Sequence, residues 1–229
     1  MIYFFHALAS QYKKKVLNLK YDAYLFDFDY TLANSEQGIV KCFKLLFAAE
    51  GYPINPDEEI RRTIGMSMIE ALRVLTDVQD EKILWELRYK YTYYADKYMT
   101  ENTFIYPQTR QVLAKIHAEG KKTAIISNKT RRRIMQTLTR DDLAQFVDFV
   151  VGSEDVQSLK PSPEGLTAGL NALSISRDRA IYIGDNVIDA QTAQNARVDF
   201  AAVLTGNNSA EDFQDLPHVQ IMENLSQLQ

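Results

Sequence analysis

Four consecutive apolar residues, Ala23-Tyr24-Leu25-Phe26, run straight into Asp27-Phe28-Asp29-Tyr30-Thr31-Leu32. An apolar run without polar alternation predicts a strand buried on both faces, as in the middle of a parallel sheet. Similar runs recur at Thr123-Ala124-Ile125-Ile126, from Phe146 to Val151, from Ala180 to Ile183 and from Phe200 to Leu204. Between them lie helical patterns at about 108–119, 130–139, 163–173 and 188–196. This alternation predicts an α/β fold with a Rossmann-like, doubly wound parallel sheet.

One stretch departs from the alternation. From about residue 35 to 105 the pattern is all helical, beginning with Ile39, Val40, Phe43, Leu46 and Phe47 on one helix face and continuing at about 57–64, 67–76 and 80–99. Asn34 or Ser35 is placed to cap the first of these helices. We therefore expect an all-α cap domain, 35–105, inserted after the first strand, with 21–34 and 106–229 forming the α/β core. Residues 1–20, with Lys13-Lys14-Lys15, read as a solvated N-terminal arm.

Bulk composition narrows the class. With 229 residues, 46% of them hydrophobic, the chain can fill one large core with a sizeable insertion. A net charge of -4 gives no support to gripping nucleic acid by its phosphates. The lone cysteine, Cys42, excludes an internal disulfide and fits a reducing compartment. No apolar stretch approaches the ~20 residues that span a bilayer. The apolar opening, Met1 to Ser10, lacks the basic leading segment of a signal peptide. These features lead us to expect a cytoplasmic protein without membrane or nucleic-acid partners.

Chemistry is expected where the strands end. Ligands in open α/β sheets bind just outside the carboxyl ends of the strands, which is where Asp27 and Asp29 fall. Alternate residues of an extended segment point opposite ways, so a turn after Asp27 is needed to bring both carboxylates to one ligand. Ser127-Asn128-Lys129 follows one predicted strand, and Gly184-Asp185-Asn186, with Asp189 four residues beyond Asp185, follows another. Lys160 lies in Leu159-Lys160-Pro161-Ser162-Pro163, a loop that the prolines stiffen. Taken singly, Asp185 or Ser127 reads as a helix cap, Lys160 as a surface lysine and Asp27 as a turn residue. Together they place three carboxylates, a hydroxyl and an amine on one edge of one sheet. Two like charges 4 Å apart repel by ~4 kcal/mol at an effective dielectric of 20, so a hard divalent cation is the natural balance. Mg2+ favours one or two carboxylates with water and a substrate phosphate, which makes Asp27 and Asp185 the candidate ligands.

The order Asp-x-Asp-x-Thr, Ser-Asn, Lys-Pro and Gly-Asp-x-x-x-Asp resembles the haloacid dehalogenase-like hydrolases, in particular their phosphatase branch with a helical cap. The resemblance covers about residues 22–229. Thr63-Ile64-Gly65, Ser127-Asn128-Lys129 and Lys160-Pro161-Ser162-Pro163-Glu164-Gly165-Leu166 are most similar to phosphoglycolate phosphatases and their pyrophosphatase and sugar-phosphate relatives. It implies Asp27 as the nucleophile that becomes an aspartyl-phosphate, and Mg2+ held by Asp27, the Asp29 backbone carbonyl and Asp185. It implies Asp29 as general acid and base, Ser127 and Lys160 as phosphate ligands, and Asp189 as an outer residue orienting metal-bound water. Thr31, Asn128 and Gly65 join Ser127 and Lys160 as expected substrate-binding positions. Tyr30, Asn34, Gln108 and Arg197 depart from the family's common residues, Tyr30 and Arg197 standing where glycine is frequent.

Other conspicuous residues receive plainer readings. Tyr89, Tyr91, Tyr93, Tyr94 and Tyr98 cannot all face one site from one helix, so packing and surface positions are expected for most. Arg131-Arg132-Arg133 follows Lys129 near the active edge and offers charge to an anionic substrate, but at helical spacing its members diverge, so a solvated face is the favoured reading. His6, His117 and His218 fall outside every motif, and Cys42 reads as a buried apolar residue. The expected activity is Mg2+-dependent hydrolysis of a small-molecule phosphate ester by a monomer or homodimer, phosphoglycolate leading. The alternatives are a pyrophosphatase, a sugar phosphomutase, or a catalytically silent regulatory binding module.

Overall fold

The structure, a computed structural model, describes residues 20–228. The arm expected over residues 1–20 lies outside the described residues apart from Lys20, as does His6.

β1 (Ala23–Phe26) is the middle of a six-stranded sheet. β4 (Lys122–Ile126) and β6 (Ala180–Gly184) pair with it in parallel on either side. β5 (Phe149–Val151) lies outside β4, while β7 (Asp199–Val203) and then β8 (Gln220–Met222) lie outside β6. The chain thus winds outward from β1 through β4 and β5, then crosses back to start β6 on the other side. That reversal leaves a crevice at the carboxyl ends of β1, β4 and β6.

Period-two alternation divides the sheet's side chains between two apolar layers. Tyr24, Phe26, Ile125 and Ile183 point to the layer completed by Val112, Leu113 and Ile116 of α5 (Pro107–Ala118) and by Ile134 and Leu138 of α6 (Arg131–Arg140). Ala23, Leu25, Ala124, Ile126 and Tyr182 point to the layer completed by Leu166 and Leu170 of α7 (Glu164–Leu173) and by Ala190 and Ala193 of α8 (Val187–Ala196). Helices on both faces explain why β1 carries no polar residue. The fold is the expected α/β, Rossmann-like, doubly wound parallel sheet.

After β1 the chain forms a two-residue strand, β2 (Ala33–Asn34), which pairs antiparallel with β3 (Phe104–Ile105). Between these strands run α1 (Glu36–Glu50), α2 (Asp57–Arg62), α3 (Met68–Thr76) and α4 (Glu81–Tyr98). They pack around their own apolar cluster, including Phe43, Leu46, Phe47, Leu72, Leu84, Leu87 and Tyr91. The β2–β3 ribbon joins the two ends of this helical stretch.

Local details differ from the sequence reading. The strand expected from Phe146 begins at Phe149, because Ala144–Phe146 closes a 3-10 turn that sets the Phe146 ring against His117, 5.7 Å between centroids. Asn34 Oδ1 accepts from the Glu36 N–H at 3.0 Å, while Ser35 turns its hydroxyl to Asp29 instead of capping α1. Cys42 is buried, as expected.

Candidate active site

Strand register builds the site. Phe26 lies opposite Ile125 of β4 and Ile183 of β6, so Asp27 leaves β1 at the level of Ile126 and Gly184. Ser127 and Asp185 follow one residue further on. The Asp27 N–H donates to the Ile183 carbonyl at 2.8 Å, which extends the ladder by one bond and fixes the direction of the Asp27 side chain. The chain then turns at once: Leu32 and Ala33 N–H both donate to the Phe28 carbonyl at 3.0 Å. Tyr30 takes a left-handed φ of 59° in this turn, the conformation for which glycine is suited. Its hydroxyl donates to Glu36 at 2.9 Å and its carbonyl accepts from Thr205.

Asp27, Asp185 and Asp189 are all buried, and each offers a carboxylate oxygen within 4.8 Å of the others. Lys160 reaches into this group, donating from Nζ to Asp27 Oδ1 at 2.8 Å and Asp189 Oδ1 at 2.6 Å. The Tyr182 hydroxyl accepts from the same Nζ at 3.2 Å and can donate to Asp189 Oδ1 or to the Ile126 carbonyl. Asp189 Oδ2 accepts the Asn186 N–H at 3.1 Å, while Asn186 caps α8. Both Asp189 oxygens are thus engaged by protein donors. Asp185 does not cap the helix; its Oδ1 accepts from Thr31 Oγ1 at 3.1 Å.

Two glycines make room for these acids. A Cβ on Gly184 would lie 2.4 Å from the Asp189 Cβ, and one on Gly206 would lie 1.9 Å from Asp185 Oδ2. Any side chain at either position displaces a carboxylate.

Burial pushes the Asp27 carboxyl up to about 6; the Lys160 charge opposes the shift and the neighbouring carboxylates add to it. Burial, with the Asp189 and Asp27 charges, raises Asp185 far above the ordinary carboxylate range. Burial alone would lower Lys160, but the charges of Asp189 and Asp27 outweigh it, so the ammonium holds its proton more tightly than usual. One lysine cannot balance three acids. The donor set is all oxygen, buried and net negative, which fits a hard divalent cation.

Asp29 belongs to a second arrangement. Its Oδ1 accepts from Lys129 Nζ at 2.8 Å and from the Ser35 hydroxyl, and its side chain is not among the three clustered carboxylates. Asn128 Nδ2 donates to the Gly65 carbonyl at 3.1 Å, and Asn128 Oδ1 accepts the Lys160 N–H at 3.0 Å, linking the helical stretch to the lysine loop. Ser127 is buried at the end of β4, its hydroxyl accepting from the Lys129 N–H at 3.3 Å.

A cavity of about 110 Å³ covers these groups, lined from the sheet by Asp27, Asp29, Ser127, Asn128 and Lys160 and from the helices by Phe43, Gly65, Met68 and Tyr91. Thr31 is fully buried behind Asp185 and does not line the cavity. Asp185 and Asp189 lie beneath its lining as well. Tyr182, Gly206 and Arg133 were not identified from sequence as parts of this region. A hydroxyl in the otherwise apolar Ala180–Ile183 run was an available signal for Tyr182; Gly206, in a loop without a motif, gave none. Arg133, read as part of a solvated face, is 8% exposed and lines the cavity, because the first turn of α6 packs it against α4, while Arg131 and Arg132 are exposed and Arg132 meets Asp96 of α4 from the surface.

A parallel α/β sheet with three buried acids and a lysine converging at its switch point defines a candidate active site with the donor set for a hard cation. The sequence pattern of the haloacid dehalogenase-like hydrolases matches residues 24–203. Pyrophosphatase PpaX of Listeria monocytogenes serotype 4b is 30% identical over 206 residues, with 89% of this chain and 93% of that one covered. Phosphoglycolate phosphatase of Salmonella typhi is 26% identical over 207 residues, covering 81% and 82%. A Bacteroides fragilis crystal structure assigned to the haloacid dehalogenase-like hydrolases superposes with a TM-score of 0.88 at 40% identity, covering 91% of this chain and 99% of that one. The chain belongs to the haloacid dehalogenase-like hydrolase family, within its phosphatase branch. Among the described residues, no helix is long and apolar enough to cross a membrane.

Proposed function

We propose that this phosphatase hydrolyses a small phosphorylated metabolite through an aspartyl-phosphate on Asp27, with Mg2+ as cofactor and phosphoglycolate as the leading substrate. The observation that carries the reading is the buried Asp27–Lys160–Asp189 ion cluster beside Asp185, with Asp27 and Lys160 lining the cavity. Asp27 and Asp185, with the Asp29 backbone carbonyl, would hold the ion, which when bound offsets phosphate charge and polarises the phosphoryl group. Asp189 holds Lys160 and the start of α8, a supporting role.

Asp27 must attack phosphorus as an anion while the phosphate is itself anionic. Lys160, kept protonated by its two carboxylate partners, reduces that repulsion and stops the Asp27 side chain from rotating away. The Ser127 hydroxyl and the backbone N–H groups near the start of α6 donate to the phosphate oxygens. In this reading Asp29, held by Lys129 and Ser35, protonates the leaving oxygen and later takes a proton from the attacking water. The 35–105 stretch acts as a cap that opens to admit substrate and excludes water when closed, with the β2–β3 ribbon as its stem.

The cavity's volume favours a small substrate. About 110 Å³ is well below the ~300–1,000 Å³ of pockets for drug-sized ligands. A panel containing phosphoglycolate, pyrophosphate, sugar phosphates and an aryl phosphate, ranked by kcat/KM with and without Mg2+, tests the reading. Preferential Mg2+-dependent release of phosphate from the small acid, lost in Asp27→Asn, is expected. Preference for pyrophosphate would move the assignment to that substrate. Phosphate transfer between sugar positions without release would identify a mutase, and inactivity throughout would leave a binding module.

A further inference from the structure

Arg133 is the third residue of α6 and lines the cavity beside α4. Its side chain is 9% exposed. Nη2 donates to Asp96 Oδ1 at 2.8 Å and lies 3.4 Å from the Thr92 carbonyl, both on α4. Nε is fully buried and has no hydrogen-bond partner. An unpaired buried donor is destabilising, more so in a charged group, so a guanidinium that α4 leaves under-satisfied in a cavity wall is disposed to bind an anion there.

The local charge balance points to an anion. Asp96 Oδ1 is shared between the guanidinium groups of Arg132 and Arg133, so one carboxylate serves two cations. Arg88 also lines the cavity, lies 4.6 Å over the Trp85 ring, and has no carboxylate within salt-bridge distance among the described residues. The other two cations of the lining, Lys129 and Lys160, are committed to Asp29 and to Asp27 with Asp189. Phe43, Met66, Met68, Tyr91 and Met99 supply an apolar wall, in which a charged hydrogen bond is stronger than in water.

We propose that Arg133 anchors a second anionic group on the substrate, so that the enzyme selects small phosphate compounds bearing a carboxylate or a further phosphate a few atoms from the phosphoryl group that reacts. The proposal rests on the phosphatase reading and deepens it: Lys160 and the cation serve the reacting phosphate, and Arg133 serves the other end. Charge alone would be met by lysine, but a planar guanidinium can hold Asp96 through one N–H edge and present further directed donors through another, which lysine cannot.

Three non-hydrolysable probes separate the possibilities in the Mg2+-loaded full chain: methylphosphonate, with one anionic end; phosphonoacetate, with a carboxylate added; and methylenediphosphonate, with a second phosphonate. Calorimetric binding is measured for the unaltered protein, Arg133→Met and Arg133→Lys. One or both doubly ended probes are expected to bind ~10- to 100-fold more tightly than methylphosphonate, the worth of a hydrogen bond to a charged group. Which probe gains identifies the second anion. Arg133→Met should erase the difference while leaving methylphosphonate binding within about threefold. Arg133→Lys, which retains a charge for Asp96, should lose most of the preference, so the test stands even if the methionine variant folds poorly. Equal binding of all three probes by the unaltered protein, or equal losses on all three in the variants, would overturn the assignment. Failure of the unaltered protein to release phosphate from any ester would overturn the catalytic reading alone, because the binding comparison does not depend on turnover.

Discussion

Asp27 is a carboxylate that the fold buries and must then ionise. Its carboxyl is pushed up to about 6 from 3.8, chiefly by burial, so the folded, metal-free chain binds a proton that the unfolded chain has already released. Between these two values stability falls as pH rises, and above about 6 the full penalty is in place. A cation that replaces the proton stabilises most where the proton has gone. Saturating Mg2+ should raise the melting temperature by ~5–10 °C at pH 7.5 and by far less at pH 5. A shift independent of pH would remove the buried carboxylates as ligands. Lys160 provides a second test. Lys160→Met leaves Asp27 and Asp189 without their shared counter-charge, and without metal at pH 8 it should destabilise by ~3–5 kcal/mol in a urea titration. The loss should shrink at pH 5, where Asp27 takes up a proton; a variant as stable as the parent at pH 8 would contradict the geometry described.

At the scale of elements, the turns after β1 and α8 show why two departures from the family's common residues are tolerated. Tyr30 and Arg197 both adopt left-handed φ, 59° and 58°. Tyr30 offsets this by burying its ring among the helices and bonding Glu36, whereas Arg197 is exposed at the end of α8. Arg197→Gly should therefore stabilise by ~0.5–1 kcal/mol in denaturant melts, with activity unchanged; a destabilised variant would show that the arginine makes a compensating contact. The strands bearing Asp27, Ser127 and Asp185 were legible in sequence because each apolar run ends abruptly on a polar residue. β8 and the β2–β3 ribbon were not, since two or three residues are too few to display a period. Arg133 was misread for a related reason: a run of three like charges looks solvated, and its burial depends on α4, a separate element that packs against the start of α6.

For the whole molecule, the sheet's switch point gathers groups from four distant stretches of chain, and the helical stretch closes over them. Asn128 to Gly65, Asn207 to the Arg61 carbonyl at 2.7 Å and Arg133 to Asp96 tie the helical stretch to the core. Motif order in sequence announced the acids, the serine and the lysine, but not the volume they face or the charges on its far wall, which arise only when the helices pack. The central claim is that Asp27 carries the phosphoryl group between substrate and water. Rapid mixing with the best substrate of the panel, followed by borohydride reduction of any acyl phosphate and peptide mass spectrometry, tests it most directly. The account predicts reduction of Asp27 to homoserine, dependent on Mg2+ and substrate and absent in Asp27→Asn. Turnover with no trapped residue, or trapping at a residue other than Asp27, would contradict it.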